Sequence, residues 1–108
     1  MNITFEDFKK IEIKIGKVLR VEKVENADKL LKLQVDFAGD ICEMKIFSGI
    51  AEHYSIEELE GKKLPFIVNL EPRIFKGVES QGMLMAVEGE KPVFLIPAED
   101  VPEGSQIV

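Results

Sequence analysis

The sequence predicts an all-β chain with short helices, and three observations predict it. Apolar and polar residues alternate in three segments between Ile11 and Phe47, the period of two that strands show. Turn-forming residues separate those segments. Only two short stretches, near Phe5 and Ser55, carry helix-start chemistry.

In chain order, residues 4–10 read as a short helix capped by Thr4, with acids in its first turn and lysines in its last. Phe5 and Phe8 share a face, which is expected to lie on the core or on a partner. Ile11 to Val24 then reads as one long strand, with Ile11, Ile13, Ile15, Leu19 and Val21 inward. Glu12, Lys14, Arg20 and Glu22 fall on its other face, and Gly16 is the expected site of a bend or bulge. Asn26 and Asp28 break the pattern.

A second strand covers Leu30 to Phe37, with Lys32, Gln34 and Asp36 outward. Ala38-Gly39-Asp40 signals a hairpin turn, and a third strand, Ile41 to Phe47, sets Cys42, Met44 and Ile46 on one face. Ser55 and Glu58 form a capping box for a short helix that Gly61 ends. A fourth strand runs from Lys63 to Leu70, where Pro65 suits an edge or a strand start. Residues 69–83 read as a loop, followed by a fifth strand, Gly82 to Val87, and an apolar run, Val93 to Ile96. The tail from Pro97 is extended and turn-rich.

Three strands, a helix and two or three more strands describe a five-stranded Greek-key barrel, the OB-fold, with its helix between strands 3 and 4. Such barrels bind oligonucleotides on strands 2 and 3 and in loops such as the one joining strands 4 and 5. The stretch 69–83, NLEPRIFKGVESQGM, occupies that last position. Its Pro72, Gly77 and Gly82 shape the backbone, and Arg73, Lys76, Asn69, Ser80 and Gln81 supply polar groups. We therefore take it as a binding loop.

With 108 residues there is room for a single domain over 1–108. No apolar run approaches the roughly 20 residues that span a membrane, and the start MNITFEDF lacks a signal-peptide pattern. A cytoplasmic protein is expected. The lone Cys42 has no disulfide partner and is expected to be a buried, inert thiol.

The net charge of −6 argues at first against a polyanionic partner, but its distribution is uneven. Residues 9–32 hold eight Lys or Arg against four acids, whereas residues 84–108 hold one Lys against five. Such polarity steers a polyanion to one face. The outward cations Lys14, Lys17, Arg20 and Lys32 either line a phosphate-tracking face or form the solvated side of two amphipathic strands. Phe47 and Phe75 are the candidate stacking aromatics, with burial the expectation for both.

Catalysis finds little support. The single His53 sits in a loop, with no His-Cys-acid cluster, P-loop or GxGxxG. No enzymatic activity, cofactor or metal is expected.

The runs FSGIAEHYSIEELEGK and NLEPRIFKGVESQGMLMA resemble the tRNA-binding domain appended to methionyl-tRNA synthetase, which also occurs as a stand-alone subunit. FEDFKKIEIKIGKVLRVEKVENADKLLKLQVD and the closing PAEDVPEGSQIV extend the resemblance over essentially the whole chain. It implies an OB-fold homodimer assembled through the N-terminal helix and C-terminal extension, which recognises tRNA by shape and serves the synthetase. It also implies tRNA contacts at Ser48, Asn69, Arg73, Lys76, Ser80 and Met83, beside the cations Lys14 and Lys32. Arg73 and Lys76 would meet phosphates, Asn69 and Ser80 would hydrogen-bond ribose or phosphate, and Gly82 would allow close approach. Met83 either packs on a base or belongs to the core, with the core as the expectation. Glu71 departs from the family, which often has lysine there, and Glu79 adds another acid, so weaker or more salt-sensitive binding is implied. An export-related chaperone associated with peptide binding resembles the same signatures and is the alternative.

Overall fold

The computed structural model describes residues 1–75 and 77–108, without the side chains of Phe75 and Val78. Helix α1, Phe5–Lys9, follows a complete capping box in which Thr4 and Asp7 exchange bonds. Strand β1, Ile13–Lys23, is followed by β2, Leu31–Ala38, and β3, Cys42–Ser48. A second capping box, Ser55 with Glu58, starts α2, Ile56–Leu59, ahead of β4, Lys63–Ile67. The remaining strands are short: β5, Arg73–Phe75; β6, Val78–Ser80; β7, Met83–Leu84; β8, Ala86–Val87; and β9, Val93–Phe94.

The main sheet is antiparallel and five-stranded, in the order β3-β2-β1-β4-β7, and curls into an OB-type barrel. Its core is a cluster of apolar side chains from β1–β4 and α2, including Val18, Leu33, Val35, Phe37, Ile46, Leu59, Leu64 and Phe66. Phe37 and Phe66 meet edge to face at 5.5 Å within it, a favoured aromatic geometry.

Strand β1 departs from the expected alternation. Val18 pairs with Val35 and Arg20 with Gln34, so Leu19 is an extra, bulged residue and is exposed rather than inward. A one-residue shift exchanges the two faces of a strand. Val21 is therefore inward after the bulge, whereas Gly16 and Val18 are inward before it, paired with Leu64 and Val35. Ile13 and Ile15 consequently lie on the outside of the barrel, buried but apart from the core cluster. Lys14 pairs with Phe66 and shares the opposite, inner face at the end of the barrel, half-buried rather than outward. Ile11 is exposed and precedes the strand.

The tail shelters Ile13 and Ile15. The Gly104 N–H donates to Ile15 C=O at 2.7 Å, Ile15 N–H to Ser105 C=O at 2.8 Å, and Ile107 N–H to Ile13 C=O at 2.8 Å. The Lys63 ammonium fastens the approach to this segment, reaching Asp100 Oδ1 at 2.8 Å, Val101 C=O at 2.7 Å and Glu103 Oε1 at 3.5 Å. Because Ile15 bonds the tail rather than β4, Pro65 opposite it withholds no hydrogen bond from β1. Pro65 thus sits inside an interior strand and not at the expected edge.

Three other expectations are corrected. Strand 4 ends at Ile67, and the segment expected as a fifth strand divides into β7 and β8, with β8 pairing β9 in a separate ribbon. Cys42 is exposed: its φ of 56° at the end of the turn takes the side chain off the face that Met44 and Ile46 share. Phe5 is 71% exposed and Phe8 half-buried, so of the two places expected for their shared face, the core or a partner, the core does not hold it. Among the described residues, no helix is long and apolar enough to cross a membrane.

Candidate nucleic-acid interface

The stretch expected as a loop is a hairpin, β5–β6, in which Arg73 pairs with Ser80 and Ile74 with Glu79. Gly77 stands in its turn with φ of 80°, a conformation that suits glycine. This arm meets β3 at its edge, and register sets out the side chains on the outer face beside it. One row across the sheet is Arg20, Gln34 and Lys45; the next is Glu22, Lys32 and Phe47.

Phe47 is buried, as expected, although it points away from the barrel core. Together with Leu70, Glu71, Arg73, Ser80, Gly82 and Met83 it lines a notch of about 40 Å³ beneath the arm. Met83 is 42% exposed at the rim and is not a core residue, because β7 is only two residues long and pairs it with Ile67 at the sheet edge. Lys32 and the exposed Lys45 extend this surface along the outer face of β2 and β3.

The polar groups of the arm are largely engaged within the protein. Ser80 is buried; its hydroxyl accepts the Phe47 N–H at 3.1 Å and donates to Gly82 C=O at 3.2 Å. Gln81 pairs with the backbone of Lys45 twice. Its Oε1 accepts the Lys45 N–H at 2.8 Å, and its own N–H donates to Lys45 C=O at 3.0 Å. These bonds join β3 to the chain entering β7, so side chains make much of the seam that closes the barrel. Asn69 stands at the other foot of the arm. Its Oδ1 accepts the Glu12 N–H at 2.9 Å and its Nδ2 donates to Lys10 C=O at 2.6 Å.

Gly82 also serves the fold. A methyl group there would lie 2.7 Å from Ile67 C=O, so its close approach is to β4.

Of the residues expected at the site, Lys32, Arg73, Ser80 and Met83 therefore gather around Phe47, with Asn69 at the arm's foot. Lys14 is not brought there, since it lies on the inner face toward the other end of β1. Ser48 pairs with Leu31, half-buried and on the opposite side of β3 from Phe47. Lys76 and the side chain of Phe75 lie outside the described residues. Sequence reasoning missed Lys45, which the inward Met44 and Ile46 already placed on the outer face. It also left out Gln81 as a site residue, since no local pattern reveals a bond spanning 36 positions.

A curled five-stranded barrel with a hairpin seated at the edge of β3 defines a small OB-type fold. Its cations stand where such folds receive oligonucleotides. Residues 13–106 match the family described as putative tRNA binding domain, and the chain belongs to that family. It is 46% identical over 106 residues to methionine–tRNA ligase of Archaeoglobus fulgidus, covering 97% of this chain and 16% of the ligase. The chain thus spans about one sixth of the length of the curated ligases it matches.

Among solved structures, a MetRS-related protein from Pyrococcus horikoshii superposes with a TM-score of 0.91 at 43% identity, covering 100% of this chain and 99% of that one. The chaperone CsaA from Bacillus anthracis superposes with a TM-score of 0.89 at 26% identity, covering 100% of both chains.

Proposed function

We propose that this chain is a non-catalytic, shape-specific tRNA-binding module of the methionyl-tRNA synthetase type, acting as a stand-alone subunit or accessory domain. One observation carries the reading: Arg73 lines the same notch as Phe47, on the outer face that Lys32 and Lys45 share with Phe47, in a chain of the tRNA-binding family. Arg73 and Lys76 meet phosphates, Lys32 and Lys45 continue the backbone track, and Met83 and the rim of the notch receive a base or ribose. The relatives support a synthetase as partner and, with it, a cytoplasmic site of action.

The same reading includes a homodimer. A groove of about 400 Å³ lined by Ile13, Ile15, Pro65, Met85, Leu95, Ile96 and Ile107 supports it, as does the exposed Phe5 of α1. An open groove lined by apolar side chains suits an interface, and a second copy offers the matching face.

The test uses bulk tRNA and a salt series. Affinity should fall steeply between about 50 and 200 mM salt, because released counterions drive binding. Arg73→Ala should weaken all tRNAs alike and lower the slope of log affinity against log salt by roughly 0.7 to 1. Glu71→Lys should tighten binding. Lys91, whose ammonium lies 5.1 Å from the Tyr54 ring centroid away from the arm, is the control. Equal losses from Lys91→Ala and Arg73→Ala would mean diffuse electrostatics and no site on the arm.

The likeness to CsaA over both full chains favours a second reading, a peptide-binding chaperone. Tight, salt-insensitive peptide binding with no tRNA binding at low salt would establish it instead.

A further inference from the structure

We propose that Asn69, Ser80 and Gln81 are positioning residues that hold the arm in its RNA-binding pose, and are not themselves RNA contacts. The proposal rests on the reading that Arg73 meets tRNA. It deepens that reading by separating the side chain that touches RNA from those that aim it.

The arm is hung from two feet, and each is a side chain bonded to main chain far away in sequence. At the first, Asn69 bonds Lys10 C=O and the Glu12 N–H, the connection between α1 and β1, while Val68 N–H bonds Glu12 C=O at 2.9 Å beside it. At the second, Ser80 and Gln81 take up the N–H groups of Phe47 and Lys45 on β3.

Three facts set these residues apart from contacts. The Ser80 hydroxyl has spent its one proton on Gly82, and the residue is only 4% exposed. The Gln81 carbonyl oxygen and both ends of the Asn69 amide are already bonded to backbone. Swinging any of these bonded atoms away to a ribose or phosphate would leave a main-chain group without its partner, so a second N–H of Asn69 or the Nε2 of Gln81 could meet RNA only from the bonded pose. Arg73 is exposed and lies directly across the hairpin from Ser80. The second foot therefore fixes the backbone from which the guanidinium projects. A bidentate phosphate contact depends on such pre-organisation, because a mobile arm must first be ordered.

A double-mutant cycle tests the proposal. Gln81→Met keeps length and charge but removes the acceptor for Lys45 N–H. Bulk tRNA binding is measured across a salt series for the parent, Arg73→Ala, Gln81→Met and the double variant, with urea unfolding alongside. Arg73→Ala should weaken binding about tenfold. Gln81→Met should weaken it comparably and lower the salt slope, although the residue carries no charge. The double variant should bind within about twofold of Arg73→Ala, since an arm without its arginine has nothing left to aim. Asn69→Ala should repeat the pattern from the other foot, which keeps the test open if Gln81→Met folds poorly.

Losses that multiply in the double variant would make Gln81 an independent contact and overturn the proposal. A variant that unfolds at lower urea yet binds with parental affinity and slope would overturn it too, leaving a purely structural seam. If Arg73→Ala itself binds like the parent, the reading of Arg73 as a contact falls, and the proposal with it.

Discussion

A methyl group added at Gly16 would lie 2.6 Å from Phe37 Cε1 and would overlap Val35 as well. Both neighbours are buried and nearly or wholly inaccessible, so neither can yield cheaply. Gly16→Ala should therefore destabilise the fold by about 2 kcal/mol through overpacking, read as a lower urea midpoint with an unchanged m-value. The sequence marks Gly16 as unusual but points to a bend; its role is to admit the Phe37 ring. The register shift falls beyond it, at Leu19. Nothing local announces that shift, because Leu19 continues the odd-numbered apolar series begun by Ile11. The residues most open to sequence reading are those whose partners are close. Thr4 with Asp7 and Ser55 with Glu58 form both capping boxes as their spacing suggests. Asn69, whose partners lie 57 and 59 positions away, could not be read in that way.

At the scale of elements, β2 was legible almost to the residue, since it is a central strand with one consistently buried face. The arm was not, because a three-residue strand carries too short a pattern to separate from a loop. The tail reads as extended from sequence, but its main-chain bonds to β1 and the ammonium of Lys63 at its approach are long-range and have no local signal. That ammonium holds the Asp100 carboxyl below its usual range, chiefly through their hydrogen bond, and the same bond raises Lys63. The signs fix a pH window. Asp100 favours the folded state above its unfolded pKa, and that contribution fades as pH falls through the depressed folded value. Lys63 contributes below its unfolded pKa and loses this as pH rises through its raised folded value. Protection of the Gly104 and Ile107 amides against hydrogen exchange should thus be flat near neutrality. It should decline below about pH 4, where carboxylates protonate. Lys63→Met should lower protection at neutral pH and flatten the decline; an unchanged decline would detach it from this ion pair.

The whole molecule presents an exterior divided by chemistry. One face carries the arm and the cations of β2 and β3, whereas another carries apolar side chains, among them Leu95 and the 71% exposed Ile96. The latter is the face proposed to meet a second copy, and Ile96→Asp tests it more cleanly than removing the tail. Deleting residues 98–108 would also strip hydrogen bonds from β1 and uncover Ile13 and Ile15, confounding assembly with folding. Sedimentation should report a dimer for the parent and a monomer for Ile96→Asp, with secondary structure unchanged. A dimeric variant would move the contact elsewhere.

The side-chain seam has a consequence for solubility. A strand with open N–H and C=O groups is a template on which another chain can add, and folds protect such edges by covering or bending them. On β3, Ser80 and Gln81 occupy the Phe47 N–H, the Lys45 N–H and the Lys45 C=O. The second foot of the arm thereby acts as a lock against unwanted strand addition along the edge of β3.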